Sequence, residues 1–148
     1  MQRSPDQPRC LCATVRRAAR LLNRGYEEAL RPAGVSTSQF ELMTTLKRAG
    51  ASDQTRLARL LEADQTTLSR NLRLLLKERW IDSKQDAQDT RRRIYNLTGL
   101  GLTVLTEAQR CWHRAHEAME RQVGVPMQEL WPMLDRILDA ARQPTEPV

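Results

Sequence analysis

Two segments of the chain concentrate arginine and short polar side chains. The first segment contains Gln65, Thr66, Thr67, Ser69, Arg70 and Arg73. The second contains Asp89, Arg91, Arg92 and Arg93. A guanidinium group is always charged and presents a planar fork of N–H donors, which suits phosphate oxygens and the edge of guanine. Both segments therefore predict contact with a nucleic acid, although a solvated surface is the common alternative for such charged faces.

Two short helices joined by a tight turn are predicted to hold the first segment in place. Asp53 and Asp64 each precede a helical pattern, and aspartate is a favoured N-cap residue. The predicted helices run from Gln54 to Leu61 and from Gln65 to about Arg79. On the second of these helices, leucines occupy one face, and the opposite face carries Thr66, Arg70, Arg73 and Lys77. Because the leucines must pack inwards, the basic face must point towards solvent or a ligand.

A short β-hairpin is predicted to carry the second segment. Residues 80–84 and 92–97 have strand character, and the polar residues 85–90 between them are typical of a turn. Clustered arginines on a hairpin raise the local positive potential, and a narrow minor groove of DNA attracts such a cluster. In a regular strand, Arg91 and Arg93 point to one side and Arg92 to the other, which predicts different roles for them.

The remainder of the chain is predicted to be helical. One helix spans Cys12 to Leu30, and a second begins at Ser36 with a capping box completed by Gln39. Thr98 can cap a long helix that runs to about Val123, and Pro126 can occupy the first turn of the last helix. The fold class is therefore mainly α, with helices before and after a helix-turn-helix and a two-stranded β wing. Six glycines and seven prolines in 148 residues leave little room for a turn-rich β fold.

Charge and composition limit the function classes. The formal net charge of +6 favours an anionic partner, nucleic acid before membrane. No apolar run approaches the roughly 20 residues that span a bilayer, and the first nine residues are unlike a secretory signal, so we expect a cytoplasmic protein. The chain has no Gly-rich phosphate loop and no catalytic triad on a suitable scaffold, so we expect neither an enzyme nor a bound cofactor.

The order of elements and two motifs resemble the MarR family of bacterial transcriptional regulators. The wing motif is Asp89-x-Arg91, five further residues, Leu97-Thr98, and Gly101 shortly afterwards. The helix-turn-helix motif is Leu57-Ala58-x-x-Leu61-x-x-Asp64-x-x-Thr67-Leu68-Ser69-Arg70-x-Leu72. The resemblance covers about residues 10–141 and implies a homodimer that binds a pseudo-palindromic double-stranded DNA operator. It also implies that Arg91 enters the minor groove, that Asp89 braces it, and that a small molecule or an oxidant releases a repressor.

The composition of the two ends and the resemblance together predict how the chain is divided. Residues 1–9 are expected to form a flexible arm and residues 143–148 a tail. Residues 10–34 and 99–142 are expected to form a helical dimerisation region. Residues 35–98 are expected to form the winged helix-turn-helix.

The cysteines and histidines fall in two short segments and leave three interpretations open. The residues are Cys10, Cys12, Cys111, His113 and His116. In the first interpretation, Cys111 is a buried small residue and the thiols near the N-terminus are incidental. In the second, Cys10 or Cys12 senses oxidants, because a thiol near a helix N-terminus is more easily oxidised. In the third, thiolates and imidazoles bind zinc or copper(I), although the C-x-C spacing is tighter than that of structural zinc sites.

A small-molecule pocket, a thiol oxidoreductase and a membrane-surface protein have weaker support in the sequence. Trp112, Met119 and Trp131 have the spacing of either a helical core or the lining of a small-molecule pocket. A thiol oxidoreductase would require C-x-x-C beside a βαβ pattern, which the sequence lacks. A membrane-surface protein would require an exposed apolar helix face, whereas the apolar stripes here are expected to pack.

Overall fold

Residues 10–143, the part of the chain that the computed structural model describes, form α-helices and a small antiparallel sheet. The arm predicted at residues 1–9 and residues 144–148 of the predicted tail lie outside this range. The helices are α1 (Leu11–Leu30), α2 (Thr37–Ala49), α3 (Gln54–Leu61), α4 (Gln65–Lys77), α5 (Gly99–Val123) and α6 (Met127–Arg142). A short 3-10 turn, Arg31–Ala33, follows α1. None of the described helices is both long and apolar enough to cross a membrane.

The sheet contains three strands in the order β1-β3-β2. The strands are β1 (Ser52–Asp53), β2 (Ile81–Gln85) and β3 (Arg93–Leu97). The mainly helical fold with a β wing is confirmed, and the hairpin strands lie within one residue of their predicted starts. The third strand, β1, is absent from the sequence prediction, because two residues are too short to show the alternation that identifies a strand.

The predicted starts of α2 and α5 are confirmed by their caps, whereas α1 begins one residue before Cys12 and α6 begins at Met127, after Pro126. The Ser36 hydroxyl accepts a hydrogen bond from the Gln39 N–H at 3.2 Å, and the Ser36 N–H donates to the Gln39 side chain at 3.0 Å, which completes the capping box. The Thr98 hydroxyl accepts from the Gly101 N–H at 3.0 Å in the first turn of α5. These side chains satisfy N–H groups that have no partner within their own helix.

The end of α4 differs from the prediction by two residues. The sequence predicts a helix that reaches Arg79. The helix ends at Lys77 because the backbone of Arg79 adopts the left-handed conformation, with φ of 58°. The Arg79 N–H donates to the Leu76 carbonyl, and the Trp80 N–H donates to the Leu75 carbonyl. This pair of bonds is a Schellman motif, in which glycine is the usual left-handed residue.

The chain divides between Trp112 and His113 into two compact units. The first contains the main core, to which α2, α4 and α5 each contribute three buried side chains. The buried side chains of α2, α3 and α4 are Leu42, Met43, Leu46, Leu57, Leu68, Leu72 and Leu75. The core also includes Tyr95 of β3 and Leu105, Ala108 and Cys111 of α5. In the second unit, Met127 is buried and the rings of His116 and Trp131 stack at 6.3 Å between centroids.

Candidate nucleic-acid interface

Helix α4 is held by the turn that joins it to α3. Leu57 of α3 and Leu68 of α4 are buried in the same core. Glu62 adopts the left-handed conformation that ends α3, with φ of 48°. The Gln54 side chain donates to the Gln65 side chain at 3.0 Å, which links the first residues of the two helices. The helix-turn-helix predicted from the two aspartate caps is therefore present.

The exposed face of α4 carries the residues predicted from the sequence. Gln65, Thr66, Thr67, Arg70 and Arg73 are exposed or partly exposed, and Ser69 is half-buried. The opposite face is buried through Leu68, Leu72 and Leu75. A helix of this kind presents two guanidinium groups and several hydroxyls to one side. This arrangement fits the major groove of DNA, which admits an α-helix.

Asp64 fixes the start of this helix. Its carboxylate accepts a hydrogen bond from the Thr67 N–H at 2.8 Å. Hydrogen bonds from the Thr67 side chain and backbone hold the pKa of Asp64 below its ordinary value of 3.8. The charged cap therefore persists at neutral pH and orders the turn from which Thr66 and Thr67 project.

The wing tip is a closed turn built on Asp89. The Asp89 carboxylate accepts from the Arg91 N–H at 3.0 Å, and its carbonyl accepts from the Arg92 N–H at 2.9 Å. The Asp86 N–H donates to the Arg92 carbonyl at 3.0 Å, so Arg91 lies inside the turn and β3 begins only at Arg93. The strand alternation expected for the three arginines is therefore wrong. Asp89 braces the backbone of Arg91, whose side chain is exposed.

Arg92 differs from its two neighbours because its guanidinium pairs with Asp53. Nη2 of Arg92 donates to Oδ2 of Asp53, which joins the wing to the residue before α3. The backbone hydrogen bond from Arg56 lowers the pKa of Asp53, and the bond and charge of Arg92 lower it further, although burial opposes them. The same contact raises the pKa of Arg92 above its ordinary value. No local pattern in the sequence indicates this pairing, because the partners are 39 residues apart.

The cysteines and histidines predicted as sensing or metal residues do not assemble into one site in residues 10–143. Cys10 is the N-cap of α1, where its Sγ accepts from the Ala13 N–H at 3.5 Å, and Cys12 is exposed nearby. Cys111 is buried in α5. His116 lies 3.5 Å from Glu120 on the same helix. No group of three potential metal ligands occurs among the described residues, and His113 is exposed on α5.

A cavity of about 490 Å³ opens beside the helix-turn-helix. The Trp112 ring stacks on Tyr26 and on Phe40, with centroid separations of 6.4 and 6.1 Å. The polar lining comprises Asn23, Thr37, Glu41, Thr44, Thr45 and Arg48. Burial raises the pKa of Glu41. Of the three residues with the spacing of a pocket lining, Trp112 thus lines a cavity, whereas Trp131 stacks on His116 in the second unit.

Comparisons with known proteins place this geometry among transcriptional regulators. Residues 35–93 match the model of the MarR family. The M. tuberculosis regulator MosR in complex with DNA is 30% identical, with a TM-score of 0.76, and the match covers 91% of this chain and 100% of that one. No curated protein sequence matches the chain.

Two further solved structures share the fold at lower identity. An E. coli MarR mutant complexed with operator DNA is 19% identical, with a TM-score of 0.78, and the match covers 90% of this chain and 94% of that one. The Streptomyces coelicolor regulator PcaV in complex with its natural ligand is 20% identical, with a TM-score of 0.76, and the match covers 92% of this chain and 99% of that one.

Proposed function

Because this chain belongs to the MarR family of transcriptional regulators, we propose that it is a homodimeric repressor that binds a pseudo-palindromic DNA operator. The observation that carries the proposal is the exposed basic face of α4 beside a wing whose Arg91 side chain is exposed. Each subunit presents α4 to a major groove and the wing to the adjoining minor groove. A repressor of this kind is a cytoplasmic DNA-binding protein, and we assign it no enzymatic activity.

The residues of α4 divide into two groups by chemistry. Arg70 and Arg73 lie at the spacing of one helical turn and can each donate two hydrogen bonds to guanine, at about 1–3 kcal/mol of discrimination for each good pair. The hydroxyl and amide side chains near the helix start suit phosphate oxygens. These are Gln65, Thr66, Thr67 and Ser69. Arg91 and Arg93 supply positive charge at the wing.

Exposed apolar side chains on the terminal helices support the dimer. On α1, Leu11 is 60% exposed and Leu21 is 56% exposed. On α6, Trp131 is 48% exposed and Met133 is 62% exposed. Both terminal helices thus expose apolar side chains that a second subunit could bury, and burying them would stabilise the assembly. We therefore assign residues 10–34 and 99–142 to dimerisation and residues 35–98 to DNA binding, with the two helix-turn-helices about one DNA turn (~34 Å) apart.

The cavity beside Trp112 supports release by a small molecule. Aromatic rings and a few polar groups line it, as is usual for ligand pockets of several hundred cubic ångströms. The Thr44 hydroxyl is buried and has no hydrogen-bond partner among the described residues. A ligand that bonds to Thr44 would satisfy that hydroxyl, and one that favours a different spacing of the subunits would lower operator affinity. PcaV was solved with its natural ligand, which is consistent with this mode of control.

Thiol oxidation is the second candidate signal, and exposure of two cysteines favours it. Cys10 and Cys12 are both exposed, so a peroxide can reach either sulfur. Attack of a thiolate on the peroxide oxygen oxidises that sulfur to a sulfenic acid and releases water or an alcohol. A change of this kind at the start of α1 would alter the helix that we assign to the dimer.

The decisive experiment is a mobility shift with the DNA upstream of the chain's own gene. We expect retardation of the duplex by a dimer, and a steep loss of affinity as the salt concentration rises, because phosphate contacts release counterions. A scrambled duplex of the same length is the control. Absence of retardation, or a monomer at the concentrations used, would overturn the proposal.

A further inference from the structure

We infer that Arg92 is a positioning residue that clamps the wing to the start of α3 through Asp53, and that it does not read DNA itself. The inference rests on the proposed DNA-binding function and assigns Arg92 a role different from those of Arg91 and Arg93. It concerns the distance between the wing and the helix that enters the major groove.

The two carboxylate oxygens of Asp53 accept hydrogen bonds from two different elements, α3 and the wing. Oδ1 accepts the Arg56 N–H at 2.8 Å and caps α3, whereas Oδ2 accepts from Arg92. The Asp53 side chain is only 12% exposed, and its backbone pairs with Ile94 of β3 in the strand ladder. The Asp53 carboxylate is therefore held by its bond to α3 and by the backbone pairing of Asp53 with β3. The Arg92 guanidinium that bonds to it is held in place in turn.

The clamp continues from Asp53 to α4. The next residue, Gln54, donates its side-chain amide to Gln65, the first residue of α4. On the wing side, the Arg92 backbone closes the tip turn through Asp86 and Asp89. One continuous set of contacts thus runs from the wing tip to the start of α4, and Arg92 is the side chain that bridges the gap.

This arrangement allows Arg91 to act at a fixed distance from α4. Arg91 adjoins Arg92 and its backbone is held by Asp89. If the Arg92 contact is lost, the tip remains closed by its own hydrogen bonds, and the base of the wing keeps its β-ladder and its place in the core, but the tip loses its ion pair with the start of α3. The wing then becomes less ordered in the free protein, and DNA binding must offset the entropic cost of ordering it.

Neutralising Asp53 distinguishes the clamp from a direct DNA contact by the sign of the effect. In Asp53→Asn, the single amide oxygen can still cap Arg56, because asparagine is as good an N-cap as aspartate. The amide NH2 then faces the guanidinium, and the ion pair is lost. The variant gains one unit of positive charge and frees Arg92, so a direct DNA contact predicts binding that is unchanged or tighter. The clamp predicts weaker binding.

The experiment measures Kd by fluorescence anisotropy on the duplex upstream of the chain's own gene. The proteins are the wild type, Asp53→Asn, Arg92→Gln and the double variant, with Asp82→Asn as the matched control, because Asp82 is an exposed wing aspartate. We expect each clamp variant to raise Kd about fivefold or more and the double variant to be no weaker than the worse single variant, since both remove one interaction. The control should bind at least as tightly as the wild type.

Two additional measurements make the outcome decisive. Arg92→Gln should leave the slope of log Kd against log salt unchanged, whereas loss of a phosphate contact reduces it by about one. Arg92→Lys should recover part of the affinity that Arg92→Gln loses. Thermal unfolding identifies any variant that fails to fold. If Asp53→Asn fails to fold, the affinities of the Arg92 variants and the salt slope of Arg92→Gln test the inference. Equal or tighter binding by Asp53→Asn, or a reduced slope for Arg92→Gln, would overturn the inference. Failure of the wild type to bind would instead overturn the proposed function.

Discussion

Gly101 of α5 packs directly against the backbone of Trp80 at the start of the wing. A Cβ built on Gly101 would lie 1.9 Å from the Trp80 carbonyl oxygen and 2.8 Å from its carbonyl carbon. The same carbonyl accepts hydrogen bonds from the Thr98 N–H at 3.0 Å and from its hydroxyl at 3.1 Å. The first turn of α5 therefore fixes the base of the wing through backbone atoms that cannot move aside.

Gly101→Ala should destabilise the protein because the added methyl group would overlap with this carbonyl. We expect a loss of about 1–3 kcal/mol in the free energy of unfolding, as for other overpacked sites. Urea unfolding followed by circular dichroism measures it. Gly99→Ala is the control, since nothing lies within 4 Å of a Cβ there. Equal stability of the Gly101 variant and the wild type would contradict the close approach.

Arg79→Gly should stabilise the protein. Arg79 occupies the left-handed position of the Schellman motif, where a side chain is strained and glycine is not. Part of the gain is offset by the greater freedom of glycine in the unfolded chain, so we expect about 0.5–1 kcal/mol. Thermal and urea unfolding measure the change, and Arg79→Ala, which keeps the strain, should show no comparable gain.

Arg91→Ala should weaken operator binding and leave the dimer intact. The side chain is exposed at the wing tip, whereas its backbone is held by Asp89, so truncation removes charge without disturbing the turn. We expect a loss of about 1–2 kcal/mol in binding, roughly 5- to 30-fold in Kd. Anisotropy measures Kd and size-exclusion chromatography measures assembly. Arg136→Ala on α6 is the control, and normal binding by Arg91→Ala would show the wing assignment to be wrong.

The helix caps predict how stability depends on pH. In the folded state, the pKa values of Asp53 and Asp64 are lowered from 3.8. The two carboxylates therefore contribute to the free energy of unfolding above pH 3.8, and this contribution is lost as the pH falls through their pKa values in the folded protein. Urea unfolding from about pH 6 down to about pH 2.5 should therefore show stability that declines at the acid end. Asp64→Asn keeps an oxygen cap without a titrating group and should flatten part of this decline. An identical pH profile would contradict the contribution of Asp64.

Oxidant release of DNA should depend on the cysteines at the start of α1. If thiol oxidation is the signal, peroxide should release the operator from the wild type but not from a Cys10→Ser/Cys12→Ser variant. A mobility shift with and without peroxide measures this, and reduction should restore binding. Cys111→Ser is the control, because that sulfur is buried. Unchanged release from the double variant would remove these cysteines from the mechanism.

Local chemistry allowed much of the molecule to be predicted. Asp53, Asp64 and Ser36 predicted helix starts because an N-cap acts on N–H groups only two or three residues away. The leucines of α4 predicted its buried face because helical periodicity is a property of the sequence itself. The candidate DNA-binding surface followed, since the face opposite the leucines has to be exposed.

Contacts between distant residues were decided only by the tertiary structure. The pairing of Arg92 with Asp53, the two-residue strand β1 and the cavity beside Trp112 each bring together residues far apart in the chain. No local pattern encodes them, because they depend on how the wing, α1, α2 and α5 pack. The sequence alone could therefore predict that three arginines closely follow Asp89, but only packing could give one of them a carboxylate partner and leave Arg91 exposed.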